Sequence, residues 1–418
     1  MRKGSSTAAW IAVAAVMVWT SGAGASPFVR HGALFSVGPN PTSIAAADLS
    51  GNGLPDIITA DRGVMSDPRE ERPANDELSL LVAEGGLEYT RQPPLRSDFA
   101  PYAVVTAHVA NPRTPDIIVG SFMATRGRDI TYFRNLGGNL FEPGYYDVPG
   151  DFLPYTKMRN SDEQPVFTRP GVTSLAVEDV TDNGHKDIVA AGWSSDLILL
   201  FPGIAPENDR YWDEPAHSPA PGGIRDVALA DFNGNGRLDL AATLYSSHEV
   251  GLWRNDGASG FEPVARFPSR GKLPHKIRVA DVDGSGELDL VVSHCHGDDS
   301  VVIFYGGGDF EFAISQEIVL GENREAIEHE IRDLAVADFT GNGRMDIAVA
   351  CYASSQVVVL INESESGGAP QQFRRVVYSF ERGRPRALCV ADFNGNGRKD
   401  IAVALWEVNA VTLLLGAD

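Results

Sequence analysis

The chain of 418 residues carries 56 acidic against 35 basic side chains, a formal charge of −21, which disfavours nucleic acid and anionic lipid surfaces as general partners. Its three cysteines, Cys295, Cys351 and Cys389, are an odd number and too few for a disulfide-built scaffold. Stability therefore has to come from a core, with bound metal as a further source.

In chain order, the first feature is Arg2 and Lys3, then an apolar run over residues 8–19, then the small residues Ser21 to Ala25. These are the basic, apolar and small-residue parts of a secretory signal, so residues 1–25 read as a signal peptide cleaved after Ala25. Residues 26–418 are then the mature domain, secreted or periplasmic. The apolar run is too short to span a bilayer, and no membrane insertion is expected.

Next come an apolar stretch over residues 28–37 and a nine-residue frame that repeats along the chain. The frame starts at Asp48, Asp179, Asp231, Asp281, Asp338 and Asp392, and a worn copy runs from His108 to Asp116. Each copy is entered by an apolar run and followed by one such as Asp-Leu-Ala-Ala or Asp-Ile-Ala-Val. Successive starts lie 50 to 71 residues apart, a period that signals a propeller or a solenoid. Each period reads as four short strands, which in the fourth are 227–230, 240–244, 250–254 and 261–267. No helical periodicity follows the signal segment, so the class is all-β and the architecture a single seven-bladed β-propeller. The last period supplies only 401–405 and 410–415 after Asp400. The stretch 28–37 is therefore expected to complete the last blade, leaving no sheet edge open.

The frame places oxygen-bearing side chains at positions 1, 3, 5 and 9, with glycines at 4 and 6 that let the backbone aim a carbonyl from position 7. A short loop surrounds Ca2+ with oxygen ligands in this way. The ligand sets are Asp48, Ser50, Asn52 and Asp56; Asp179, Thr181, Asn183 and Asp187; Asp231, Asn233, Asn235 and Asp239; Asp281, Asp283, Ser285 and Asp289; Asp338, Thr340, Asn342 and Asp346; and Asp392, Asn394, Asn396 and Asp400. The fourth set is the most acidic. Asparagines in the third and sixth keep the oxygens and lose charge, so those sites are expected to be weaker. A helix-flanked calcium loop would run twelve residues and close with Glu, whereas this one closes with Asp between strands.

The string Asp-Phe-Asn-Gly-Asn-Gly-Arg followed by Asp-Ile-Ala-Val resembles the calcium-loop signature of the FG-GAP and VCBS repeat family, relatives of the integrin α propeller. The resemblance covers nearly all of the mature chain. It implies the propeller fold and structural calcium, but the family spans adhesion modules, lectin-like proteins and polysaccharide lyases, so it does not select a function. The Phe-Gly and Gly-Ala-Pro elements of integrin repeats are absent.

The long insertions, 62–77, 150–171 and 321–330, are expected on the face away from the calcium loops, the candidate recognition face. Two columns of residues meet there. Six before each frame stand Thr42, Tyr102, Thr173, Arg225, His275, Arg332 and Arg386. Six after each frame stand Arg62, Phe122, Trp193, Tyr245, Cys295, Tyr352 and Trp406. In an unbulged hairpin these columns pair Arg225 with Tyr245, Arg332 with Tyr352, Arg386 with Trp406 and His275 with Cys295. His294 and His296, with Asp298, are a candidate transition-metal set, and a Cys295 to Cys351 disulfide is left open. The expected ligand residues are Trp193, Arg225, Tyr245, His275, His294, His296, Arg332, Tyr352, Arg386 and Trp406.

Aromatics at such a mouth stack on sugar rings while arginines hold carboxylates or sulfates, so the preferred partner is an extracellular acidic glycan and the next a protein surface. An alternative is a polysaccharide lyase with His275, His294 or Tyr245 as base. Another is a structural part of the cell envelope.

Overall fold

A computed structural model of the chain describes residues 26–63, 75–122, 124, 128–148, 156–159, 165–168, 171–192, 196–207, 209–255, 257, 260–296, 298–321, 328–364 and 368–417. The expected signal segment lies outside the described residues, as do Trp193 and parts of all three insertions. Every regular element among the described residues is a strand.

The second strand of each period explains the architecture. It follows the frame as an unbroken apolar run, and all six of its residues are buried in every copy, from Asp56–Asp61 to Asp400–Leu405. A strand buried on both faces has to be sandwiched between two sheets. Outer strands behave differently, and Phe261–Pro268 is mostly exposed. Seven small antiparallel sheets therefore stack face to face in a ring, a seven-bladed β-propeller. The core lies between blades, as where Val291 and Ile303 of the fifth meet Ile347 and Val349 of the sixth. The strand that enters each frame is innermost, and these first strands pack against one another around the axis.

Ring closure follows the expectation from the two ends. Phe28 pairs with Gly416 and Phe35 with Val411, so the N-terminal segment completes the seventh blade. It does so as two short pieces, Phe28–Arg30 and Phe35–Ser36. Phe28 is 3% exposed and stands edge-on to Phe339 and Tyr378, with ring centroids 5.4 and 5.9 Å away.

One expectation is corrected. The inner hairpins are all bulged, and the ladder skips the sixth residue before each frame. Ile224 lies opposite Leu244 and Asp226 opposite Thr243, so Arg225 is passed over and the pairing of the two columns across a regular ladder does not form. In four copies the residue before the bulge is proline, at Pro41, Pro101, Pro274 and Pro385, which has no N–H to give the ladder.

The ninth position of the frame also has a structural task. Asp289 Oδ2 accepts the Val282 N–H at 2.7 Å and its Oδ1 accepts the Gly306 N–H at 2.8 Å. The carboxylate thus clips the loop to the third strand. Asp116 of the worn copy does the same to Ala110 and Asn135. A second clip runs between blades. Asn135, Asn255 and Asn362 donate from Nδ2 to the carbonyls of Leu49, Val180 and Val282 in the preceding blades.

Candidate functional site

The bulge gives the chain a way to aim one side chain per blade at the axis. A second hydrogen bond repeated around the ring sets the outer column. The N–H of Phe122 donates to Ala100, that of Tyr245 to Gly223, that of Tyr352 to Glu330 and that of Trp406 to Arg384. Two tiers result, an inner one from the bulges and an outer one from the residues that leave the second strands.

At the mouth these tiers enclose a cavity of about 370 Å³ lined by Arg62, Tyr102, Phe122, Arg225, Glu330, Arg332, Tyr352, Arg386 and Trp406. Four arginines face a single glutamate in that lining. Arg332 pairs with Glu330 and lies over Tyr352 at 5.6 Å, while Arg386 lies over Trp406 at 5.9 Å. Tyr352 and Trp406 meet edge to face with centroids 6.5 Å apart. Arg62 crosses to Phe122 of the second blade at 5.1 Å, and its Nε is buried with no hydrogen-bond partner. Burial, with Arg386 close by, pushes the Arg332 guanidinium down to about 10.

The floor of this cavity is a phenol. Tyr102 Oη accepts a hydrogen bond from Arg386 Nη2 at 2.8 Å and another from Arg225 Nη2, tying the second, fourth and seventh blades across the axis. Burial pushes the Tyr102 phenol up, but the charges of Arg225, Arg386, Lys276 and Arg62 outweigh it and bring it to about 7. Tyr102 stands in the first column but belongs to the worn repeat, which has lost most of the frame's carboxylates and glycines, and it was left out of the expected ligand residues. Its place in a column otherwise rich in arginine was the available signal. Glu330 was missed because it closes an insertion with no repeat to align.

Below the floor lies a second cavity of about 370 Å³, which shares Tyr102, Arg225 and Arg386 with the mouth. His275 lines it, 1% exposed, with neither ring nitrogen hydrogen-bonded. Burial, then the charges of Arg225, Arg332, Arg386 and Lys276, hold it well below the usual histidine range, so it is neutral. Asp226 beneath it accepts from Lys276 Nζ, Arg278 Nη1 and the Ile277 N–H, and Arg278 reaches on to Asp333. Burial pushes the Asp226 carboxyl up, yet Lys276 and Arg278 prevail and hold it below the usual carboxylate range.

A depressed carboxyl stabilises the fold above its unfolded pKa and loses that effect as pH falls through its folded value. Asp226→Asn is therefore expected to cost about 2 to 3 kcal/mol at pH 7. That is less than the roughly 3 to 5 of a fully buried pair, because the Arg278 side chain is 34% exposed. Urea unfolding at pH 7 and near pH 3 checks this, and the cost should shrink at the lower pH.

The six loops on the opposite face are unequal. First-position aspartates accept N–H groups from positions 5 and 6 of their own loops, as Asp231 does from Asn235 and Gly236. Fifth-position asparagines turn Oδ1 to the N–H at position 7, as Asn52, Asn183, Asn235, Asn342 and Asn396 all do. Only in the fifth blade, among the described residues, do three acidic groups converge. One oxygen each from Asp281, Asp283 and Asp289 lies within 4.8 Å of the others. Burial and the neighbouring Asp283 charge push Asp289 up to about 6. A cluster of hard oxygen donors with no internal cation suits a divalent ion.

The remaining sequence candidates are placed as follows. Tyr245 lies beside Cys295, and burial pushes its phenol up to about 12. His294 is fully buried with Nδ1 3.3 Å from Ser300 Oγ, while His296, beyond the strand end, approaches Glu330 at 3.8 Å. The expected set of His294, His296 and Asp298 does not gather as a metal cluster, because the second strand ends at His294 and alternation stops there. All three cysteines are free thiols, so Cys295 and Cys351 are not bridged.

Three stretches, residues 179–242, 281–349 and 338–403, match the FG-GAP-like repeat family. Those blades carry FG-GAP-like repeats on a propeller fold. A search of curated proteins finds no match to this chain's sequence. Among solved structures, BBS1N in complex with ARL6DN is similar at a TM-score of 0.59 and 15% identity, covering 94% of this chain and 98% of that one. Virginiamycin B lyase from Staphylococcus aureus is similar at 0.57 and 11%, covering 93% and 99%. At these identities the likeness is one of fold. The FG-GAP repeats fit a binding module in general, and the chemistry has to be argued from the mouth.

Proposed function

We propose that this FG-GAP propeller is an exported, calcium-loaded binding module that takes an acidic glycan at the mouth away from its calcium loops. The observation that carries the reading is the mouth cavity itself, where four arginines and one glutamate sit among Tyr352, Trp406 and Phe122 on a chain of formal charge −21. Planar guanidinium groups match carboxylates and sulfates, and aromatic faces receive sugar rings. A local cationic cup on an acidic protein also concentrates anionic ligands and rejects cationic ones.

Calcium is part of the proposal as a structural ion. Asp281, Asp283 and Asp289 of the fifth blade would hold it most firmly, and the ion would offset their mutual repulsion.

The test is binding to an array of neutral, uronate-containing and sulfated glycans. Wild type is expected to select acidic members, with a triple variant Arg225→Ala, Arg332→Ala, Arg386→Ala weakened at least a hundredfold, about 1 kcal/mol per lost charge-assisted contact. An unchanged profile in the triple variant would end the reading. Capture of a protein partner with no glycan signal would favour an adhesion surface instead.

A further inference from the structure

The floor of the mouth has one property that a simple cationic cup does not need. Tyr102 Oη accepts from two guanidinium groups, and no acceptor for its own proton is present among the described residues. A neutral phenol so placed has an O–H with no protein acceptor, whereas a phenolate oxygen is well served by two charged donors. The charges that bear on it most strongly all have the same sign. These are Arg225 from the fourth blade, Arg386 from the seventh, Lys276 from the fifth and Arg62 from the first. Arg332, paired with Glu330, also interacts with the Tyr102 oxygen. The two aspartates nearby, Asp226 and Asp333, are engaged below the floor by Lys276 and Arg278. Above about pH 7 Tyr102 is thus the internal anion of a cationic cluster.

We propose that the carboxylate of a uronate residue binds at the floor of the mouth among Arg62, Arg225 and Arg386, and that its binding is coupled to uptake of one proton by the Tyr102 oxygen. The inference rests on the acidic-glycan reading and adds to it the ligand group, the subsite and a pH dependence. A second anion placed against a phenolate raises the phenol's proton affinity. The phenol then takes a proton, and its O–H, with no protein acceptor, donates to the incoming carboxylate. Planar carboxylates suit this subsite because the guanidinium groups present paired N–H donors in one plane.

Two further observations place the subsite. Arg62 brings a buried Nε with no partner to the same cavity, a donor the carboxylate would satisfy. His275, the group beneath the floor whose ordinary pKa lies nearest neutrality, is held neutral by burial and four cations. It therefore stays neutral in the ligand-free protein while Tyr102 titrates near neutrality.

The sign of the coupling follows. In the ligand-free protein Tyr102 loses its proton near pH 7, and in the complex it keeps it to higher pH. Binding at pH 8 therefore takes up a proton, and affinity weakens as pH rises from 7, by up to about tenfold per unit where coupling is complete. Below about pH 6 the phenol is already protonated and the dependence flattens.

The experiment is titration calorimetry of the full protein with trigalacturonate at pH 8, in two buffers of different ionisation enthalpy, for wild type and Tyr102→Phe. Wild type is expected to take up close to one proton per ligand and Tyr102→Phe close to none, while still binding. Binding without proton uptake in wild type overturns the coupling and leaves the acidic-glycan reading standing. Uptake that persists in Tyr102→Phe assigns the proton elsewhere, His275 first, and also overturns it. Absence of uronate binding, with sulfated glycans still bound, overturns the uronate subsite. Absence of any acidic-glycan binding overturns both readings. If Tyr102→Phe fails to fold, ultraviolet titration of ligand-free wild type decides. One tyrosine should ionise near pH 7, and its absence overturns the inference.

Discussion

Deletion of residues 27–38 is expected to lower the melting temperature by about 10 °C or more. The segment supplies the outer strand of the seventh blade, pairing Phe28 with Gly416 and Phe35 with Val411. Its loss uncovers the edge of Ala410–Gly416, the condition that a closed ring exists to avoid. It also removes two core side chains, Phe28 and Val37, which are 3% and 4% exposed. Burial of each stabilises by about 1.5 to 3 kcal/mol, so with the lost ladder the total is about 4 to 6 kcal/mol. At roughly 2 to 4 °C per kcal/mol for a domain above 150 residues, the shift exceeds any experimental scatter. Differential scanning calorimetry of the truncated protein checks it, and a melt at the wild-type temperature would show that the latch is dispensable.

On the proposed reading of the loops as calcium sites, removal of calcium is expected to have an effect of similar size, and an uneven one. Calcium binding adds RT ln(1 + [L]/Kd), about 2.7 kcal/mol for a site at 100 times its Kd and about 0.4 to 1.4 at one to ten times. The fifth-blade loop, with three converging carboxylates, belongs to the first class. The other five, whose asparagine, serine and threonine donors carry less charge, belong to the second. Together they come to roughly 5 to 10 kcal/mol, comparable with the whole stability of a marginal domain. EDTA should therefore lower the melting temperature by 10 °C or more, and Asp283→Asn alone should remove a disproportionate share of the calcium-dependent part. A protein that melts identically with and without chelator would leave the loops as turns held by their own hydrogen bonds.

Much of this was legible in the sequence because repetition turns weak signals into a strong one. One copy of the frame marks a turn; six copies, each followed by a buried strand, mark blades. The split ends of the seventh blade were legible too, since Asp400–Leu405 and Ala410–Gly416 leave a sheet two strands short of four until the N-terminal segment and the strand Pro385–Ala391 are counted. The site was less legible. The columns of Arg225, Arg332 and Arg386 and of Tyr352 and Trp406 were found, but the bulge that aims the first column inward was not. An alternation rule has no place for a skipped residue, although the four prolines beside it were a visible hint. His294 was misjudged for a related reason, because a strand's last residue and the second residue beyond it do not share a face once the chain has turned. Tyr102 was hidden by its own repeat. The loop that lost most of the frame's carboxylates and glycines kept the position that closes the channel.

The asparagine clips have a consequence for how the wheel is built. Asn135, Asn255 and Asn362 stand on the third strands of the second, fourth and sixth blades, and each reaches back one blade. Glycine stands at the corresponding place in the third, fifth and seventh, at Gly203, Gly306 and Gly416. The true period of the chain is therefore a couplet of 102 to 131 residues between frame starts, with three couplets and a single seventh blade that the N-terminal segment completes. Partial opening of such a molecule should come apart in couplets, with the singleton as the seam.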